Sequence, residues 1–241
     1  MTYQGGCDAV TFGNGLIGVL YTAAGDLPCP TAILLHGIPG SEKNVDIAYR
    51  LRDLGWHALI VHFAGTWGSG GSYDITQQPA DAIAALEFLL TADNAWQVDP
   101  QRIAIIGSSL GARAALVAAY RDPRVTKVVT LGGISDFDEV MLSDTFFTNA
   151  SAFLHGVDGR AIKRQWAALG GADNPITLIG KLTQAILIVQ GTDDDVIPLY
   201  NGEALHQASH NADFVRIEGA DHIFTRHRTA LVEAVTEWLL K

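Results

Sequence analysis

The feature that most restricts how this chain folds is an abrupt change of residue type around Ser109. An apolar run over residues 103–106 ends at Gly107, and small, helix-forming residues begin directly after Ser109. A strand that turns into a helix with almost no loop forces strained backbone angles on the residue between them, and Gly107 and Gly111 remove side chains that would collide there. The pattern predicts a serine hydroxyl at the end of a strand, beside the N–H groups of a helix N-terminus. Gly-x-Ser-x-Gly alone is equally typical of a flexible turn, and its strand-to-helix context favours the strained turn.

Apolar runs that alternate with helical patterns predict an α/β fold with a mostly parallel central sheet flanked by helices. The runs are continuous rather than alternating, which is typical of strands covered on both faces. We expect the first helix to begin at an N-cap on Ser41, with Glu42 in its first turn. The chain length of 241 residues fits a single domain over residues 1–241. The predicted strands are an edge hairpin, 8–12 with 16–22, then 31–35, 57–63, the run that leads to Ser109, 125–131, 185–190 and 214–218.

One interval, residues 134–182, is too long for a simple crossover between the strands at about 125–131 and 185–190. It contains a helical pattern over residues 159–169. One interpretation is a crossover helix with irregular loops, and the other is a crossover helix plus a small lid. Its aromatic content, at the end of the sheet where ligands bind, favours the lid. Its aromatic residues include Phe137, Phe146, Phe147, Phe153 and Trp166.

Two further segments carry residues that suit nucleophilic catalysis with Ser109. Serine is a weak nucleophile unless a base takes its proton, and that base needs an orienting group. Residues 191–198 follow one predicted buried strand and contain three consecutive aspartates, 193–195. Residues 219–224 follow the next strand and contain Asp221 and His222. Both segments belong to the same edge of the sheet as Ser109, which predicts a serine, acid and histidine constellation, with Asp221 as a weaker alternative orienter.

Five elements of the sequence match a known family: His36-Gly37-Ile38-Pro39-Gly40, the glycine-rich loop 65–71, Gly-x-Ser-x-Gly, Gly-x-x-Asp-x-x-Ile-Pro and Gly-x-x-His. They make the chain resemble an α/β-hydrolase from about residue 31 to its end. It is most similar to small carboxylesterases and to the catalytic domains of acylaminoacyl and prolyl oligopeptidases. Dienelactone hydrolases are more distant, because they usually carry a cysteine where this chain has Ser109.

The resemblance implies a role for several residues. Asp194 takes the position of the catalytic acid, since it lies three residues after Gly191. The backbone N–H groups of Ile38 and Leu110 take the position of the oxyanion hole, and His36 that of a brace for the oxyanion loop. The candidates for substrate contacts are Trp67, Phe137, Phe146, Phe147 and Trp166.

Composition and spacing exclude several classes of protein. The net charge of −10 argues against a nucleic-acid partner. Residues 1–6 lack the pattern of a signal peptide, and no apolar run approaches the ~20 residues that span a bilayer. We therefore expect a cytoplasmic protein with no membrane partner.

The histidines other than His222 and His36 show no metal-ligand spacing, and we expect no metal and no cofactor. Cys7 and Cys29 resemble reduced thiols more than a disulfide framework. Arg113 suits either a carboxylate of the substrate or a structural ion pair.

The sequence therefore predicts a serine hydrolase that cleaves esters of short to medium acyl or aryl acids through an acyl-enzyme on Ser109, His222 and Asp194. A peptidase or amidase of the acylaminoacyl type fits the same three residues. A third hypothesis is a binding protein that uses this fold without catalysis. The small-molecule substrate and the oligomeric state are not specified by the sequence.

Overall fold

A computed structural model describes residues 5–91, 93–140 and 142–241. The strands are β1 Gly6–Phe12, β2 Leu16–Thr22, β3 Cys29–Leu35, β4 His57–His62, β5 Val98–Ser108, β6 Lys127–Leu131, β7 Ala185–Gly191 and β8 Ala212–Ile217. These eight strands of the described residues form one sheet in the order β1-β2-β4-β3-β5-β6-β7-β8. β2 pairs antiparallel with both β1 and β4, and the other neighbouring pairs are parallel. The predicted parallel sheet with an antiparallel edge hairpin is confirmed.

Helices cover both faces of the sheet. They are α1 Val45–Asp53, α2 Gln78–Leu89, α3 Leu110–Arg121, α4 Asp144–Ser151, α5 Gly159–Trp166, α6 Pro175–Leu178, α7 Tyr200–Ala208 and α8 Arg228–Leu239. The helices α2, α3 and α7 bury apolar residues against one face, and α1 and α8 bury theirs against the other. All seven residues of β3 are therefore buried, which explains why its sequence is apolar except for Thr31.

The start of α1 differs from the sequence prediction. We expected Ser41 as its N-cap, and the helix instead begins after Asn44, whose φ of 54° lies in the left-handed region. Asparagine tolerates this region better than most residues. The carboxylate of Glu42 accepts the N–H of Asn44 instead of lying in the first turn of the helix. The predicted N-cap at Ser41 is wrong by three residues, and residues 41–44 form an irregular connection from the loop after β3.

The segment between β6 and β7, residues 132–184, supplies most of a third apolar cluster, which also includes Tyr73, Ile75, Leu110 and Ile197. It contains α4, α5 and α6, and α5 falls within the predicted helical pattern. Phe137, Phe147 and Trp166 are only 2–4% exposed, and the ring of Trp166 contacts those of both phenylalanines. The indole N–H of Trp166 donates to the carbonyl of Val140 at 3.1 Å. We call residues 132–184 the β6–β7 segment; its action as a lid stays a prediction.

Candidate active site

Ser109 lies at the turn between β5 and α3, in the strained conformation that its flanking glycines predict. Its φ and ψ are 54° and −121°, a combination that costs about 1–3 kcal/mol for a residue with a side chain. The two flanking glycines lie against each other, since a Cβ on Gly107 would be 2.2 Å from the carbonyl oxygen of Gly111. The N–H of Ser109 donates to Leu131 of the neighbouring strand at 2.8 Å. The backbone is therefore fixed with the serine at the end of the sheet.

Asp194 is the buried member of the three consecutive aspartates, and Asp193 and Asp195 are exposed. Its Oδ1 accepts the backbone N–H groups of Val196 and Ile197 at 3.0 and 2.7 Å. Its Oδ2 accepts Nδ1–H of the imidazole of His222 at 2.8 Å. A buried carboxylate needs such donors to offset its lost hydration.

Gln190, the next-to-last residue of β7, also holds Asp194, and sequence reasoning missed it. Its Nε2 donates to Oδ2 of Asp194 at 3.0 Å and to the carbonyl of Ile197 at 2.7 Å. The side chain is fully buried, and its Oε1 is one of two buried side-chain polar atoms without a partner in the described part of the chain. A glutamine that ends an otherwise apolar strand, directly before Gly191, was the available signal.

Asp221, the alternative orienter, has a different role in the structure. Its Oδ1 accepts the backbone N–H of Thr225 at 2.7 Å. Hydrogen bonds from Thr225 lower the pKa of the Asp221 carboxyl. Asp221 thus closes the turn after His222, while Asp194 contacts the ring.

Ser109 and His222 line the same small cavity, of about 50 Å³, together with Ile38. The loop after β3 passes close to the serine, because a Cβ on Gly37 would lie 2.9 Å from the Cβ of Ser109. Among the described residues, no hydrogen bond joins the serine hydroxyl to His222. Catalytic hydrogen bonds are often long before substrate binds and tighten in the complex. The structure thus brings together Ser109, His222 and Ile38 at one cavity, with Asp194 bound to His222. Their catalytic roles stay predictions.

The backbone N–H groups of Ile38 and Leu110, the two predicted oxyanion donors, have no acceptor among the described residues. Leu110 is the first residue of α3, where helical N–H groups have no intrahelical partner. Ile38 belongs to the loop after β3. Backbone donors without an acceptor near the nucleophile suit a developing oxyanion.

His36 and Trp67 brace the loop that carries Ile38. Nδ1–H of His36 donates to the carbonyl of Gly37 at 2.7 Å. Burial lowers the pKa of His36 to about 4, so its imidazole is neutral at pH 7. The indole N–H of Trp67 donates to Pro39 at 3.1 Å. Trp67 lines a separate depression with Phe153 and not the cavity at Ser109; a contact between Trp67 and substrate stays a prediction.

The other four candidates for substrate contacts lie in the β6–β7 segment. Phe137, Phe147 and Trp166 are interior residues of that segment, and Phe146 is half-buried beside them. None of the four lines the cavity at Ser109. Their aromatic character is accounted for by the apolar cluster of the segment, and direct contact with substrate stays a prediction that requires this cluster to open.

Arg113, four residues after Ser109, contacts the β6–β7 segment and does not line the cavity at the serine. It is 5% exposed, and its Nε–H donates to the carbonyl of Leu169 at 3.4 Å. Its guanidinium lies 3.9 Å from Asp173, and burial lowers its pKa. Arg113 thus connects α3 to the β6–β7 segment. No cluster of three metal-ligating side chains occurs in the described ranges, and none of their helices is long and apolar enough to cross a bilayer.

The sheet order, the strained serine turn and the Asp194–His222 pair at the ends of successive strands define an α/β-hydrolase. The model of the prolyl oligopeptidase family, a family of serine hydrolases, matches residues 46–241, and the chain belongs to that family.

Individual relatives are distant. An uncharacterized protein of Mycobacterium tuberculosis is 26% identical over 199 residues, which cover 80% of this chain and 63% of the relative. The chain thus spans less than two thirds of that relative's length. The esterase domain of a Rhodothermus marinus protein superposes with a TM-score of 0.72 at 22% identity and covers 97% of each chain. A puromycin-hydrolyzing peptidase of M. tuberculosis has a TM-score of 0.72 at 20% identity, over 98% of this chain and 39% of the other. These two similarities establish the fold.

Proposed function

We propose that the protein is a carboxylesterase that cleaves esters of short to medium acyl or aryl acids with Ser109, His222 and Asp194. The observation that carries the proposal is the 2.8 Å hydrogen bond from His222 to the buried Asp194, beside a cavity that His222 shares with Ser109. This is the arrangement that acyl transfer needs, because the carboxylate fixes the ring tautomer and leaves Nε2 to accept a proton.

The proposed reaction begins with attack of the Ser109 hydroxyl on the ester carbonyl while Nε2 of His222 takes its proton. The negative charge that develops on the carbonyl oxygen is met by the N–H groups of Ile38 and Leu110, and losing one such donor costs roughly 3 kcal/mol of transition-state stabilisation. His222 then gives its proton to the departing alcohol. A water molecule, activated by the same imidazole, releases the acid from the acyl-enzyme.

A small acyl or aryl group suits the site. The cavity at the serine has a volume of about 50 Å³, and buried apolar residues of the β6–β7 segment lie on the side of Leu110. In this conformation a long acyl chain has no room there.

Peptidase or amidase activity is the second candidate, supported by the family and by the puromycin-hydrolyzing peptidase of similar fold. We expect p-nitrophenyl acetate and butanoate to be hydrolysed with a higher kcat/KM than aminoacyl p-nitroanilides. The reverse order would assign the site to amide substrates. If neither class is hydrolysed and a fluorophosphonate probe does not label Ser109, the chain is a binding protein with this fold.

A further inference from the structure

The cavity at Ser109 borders a larger depression. The cavity is lined by Ser41, Glu42 and Ile223 as well as by the serine and His222. A depression of about 510 Å³, between residues 41–46 and residues 223–228, shares these three lining residues. The two spaces are therefore neighbours, separated by no more than these side chains. We call the larger one the Glu42 groove.

On the side of Leu110, buried apolar side chains border Ser109. Leu110 belongs to a buried cluster with Phe137, Trp166 and Ile197, and Ile38 packs against it. A part of the substrate that exceeds the small cavity thus extends along the Glu42 groove. Ile223 lines the groove and directly follows His222, the residue that protonates the leaving group in the proposed reaction. The groove thus begins beside the residue that would protonate the leaving group.

Most charges along the groove are already compensated. Arg228 donates from Nε and Nη2 to the carboxylate of Asp46. It also donates to Asn44 at 3.0 Å and to the carbonyl of Ile223 at 3.1 Å. The ammonium of Lys43 lies 3.9 Å from the ring centroid of Trp67. Arg228 is thus engaged by hydrogen bonds, whereas Lys43 has this ring contact and the nearby charge of Glu42, which opposes the lowering of its pKa by burial.

Glu42 lies near both cations and still keeps one oxygen without a hydrogen-bond partner from the residues that the structure describes. Its Oε1 accepts the N–H of Asn44 and lies 3.9 Å from the engaged guanidinium of Arg228. Its Oε2 has no hydrogen-bond partner among the described residues, and its side chain is 36% exposed. It also borders both the cavity at the nucleophile and the groove. A carboxylate oxygen without a partner at this position is suited to a cation or an N–H donor.

We propose that the Glu42 groove is a leaving-group subsite that takes an ammonium-bearing alcohol, with the carboxylate of Glu42 as its counter-charge. This subsite rests on the proposed esterase function, since it assigns the leaving group of that reaction. The preferred substrates are then esters of amino alcohols rather than esters of neutral alcohols of the same shape.

The test compares two butanoate esters of matched shape, those of choline and of 3,3-dimethylbutanol, which differ in the permanent charge of the leaving group. The quantity measured is the ratio of kcat/KM for the charged ester to kcat/KM for the neutral ester. Glu42→Gln keeps the acceptor for Asn44 and removes the charge. An exposed ion pair is worth up to about 1 kcal/mol, so we expect the ratio to fall about three- to fivefold in this variant. The ratio of the wild type should also fall as salt is raised.

Glu237→Gln is the matched control, because Glu237 is exposed on α8 and lines neither space. We expect it to leave the ratio unchanged. An unchanged ratio in Glu42→Gln, or equal falls in both variants, would overturn the subsite. The proposed function would still stand after that result, provided that the wild type hydrolyses both esters and Ser109→Ala hydrolyses neither. If the wild type hydrolyses neither ester the subsite is wrong, and if it also resists a fluorophosphonate probe the proposed function is wrong as well.

Discussion

At the scale of single residues, burial separates the functional candidates from their neighbours. Of the aspartates at 193–195, only Asp194 is buried, and it alone contacts the imidazole of His222. The sequence indicated the right segment, because turn residues after a buried strand lie at the edge of the sheet. The choice of Asp194 needed the resemblance to known hydrolases. A glutamine at the end of an apolar strand marked Gln190 as unusual, but its partner could not be predicted, since the hydrogen bond to Asp194 depends on side-chain geometry.

Gln190 provides the first prediction at this scale. Gln190→Met removes the N–H that reaches Oδ2 of Asp194, and a hydrogen bond to a charged group is worth about 1.5–3 kcal/mol. We expect kcat for a p-nitrophenyl ester to fall about tenfold or more, with a smaller change in KM. Gln184→Met is the control, because its amide donates to Ala119 away from the site. An unchanged kcat in Gln190→Met would show that the amide does not position the acid.

At the scale of elements, the strands were predictable and the connections were not. Continuous apolar runs located β3, β4, β6 and β7 to within two residues at each end, because both faces of these strands are covered. The start of α1 was misplaced, since residues 41–44 follow the loop after β3 rather than helical preference. The sequence could not predict whether the aromatic residues of the β6–β7 segment contact a substrate or one another, because both arrangements require the same residue types.

The attachment of the β6–β7 segment to α3 gives the second prediction. Asp173 contacts the exposed Arg121 at 2.5 Å and the buried Arg113 at 3.9 Å. We expect the burial of the arginine to decide the coupling energy more than the distance does, because exposed ion pairs are weakened by water and salt. In double-mutant cycles of urea unfolding, we expect Arg113→Met and Asp173→Asn to couple by about 1 kcal/mol. The cycle of Arg121→Met with Asp173→Asn should give less than about 0.5 kcal/mol. Equal coupling in both cycles would contradict this account.

At the scale of the whole molecule, buried histidines make stability depend on pH. Burial lowers the pKa of His36, His57 and His62. For His36 the pKa falls from 6.5 to about 4 in the folded state. Between these two values the unfolded chain binds more protons than the folded chain. The stabilisation is therefore complete above pH 6.5 and is lost as the pH falls towards 4.

This linkage gives the third prediction. One pKa unit corresponds to about 1.4 kcal/mol, so His36 accounts for roughly 3 kcal/mol of the loss of unfolding free energy between pH 7 and pH 4. His36→Asn cannot titrate there and should show a smaller loss by about that amount in urea unfolding at the two pH values. His210→Asn, at an exposed position, is the control. Equal losses in the wild type and His36→Asn would contradict the linkage.

The most direct test of the account is the hydrolysis of a panel of esters of varied acyl length by the wild type, Ser109→Ala and Ser108→Ala. We expect Ser109→Ala to lose at least about 10³-fold in kcat/KM on every ester that the wild type cleaves. Ser108→Ala should stay within about tenfold of the wild type, because it removes at most one hydrogen bond. Hydrolysis by Ser109→Ala at the wild-type rate would contradict the account.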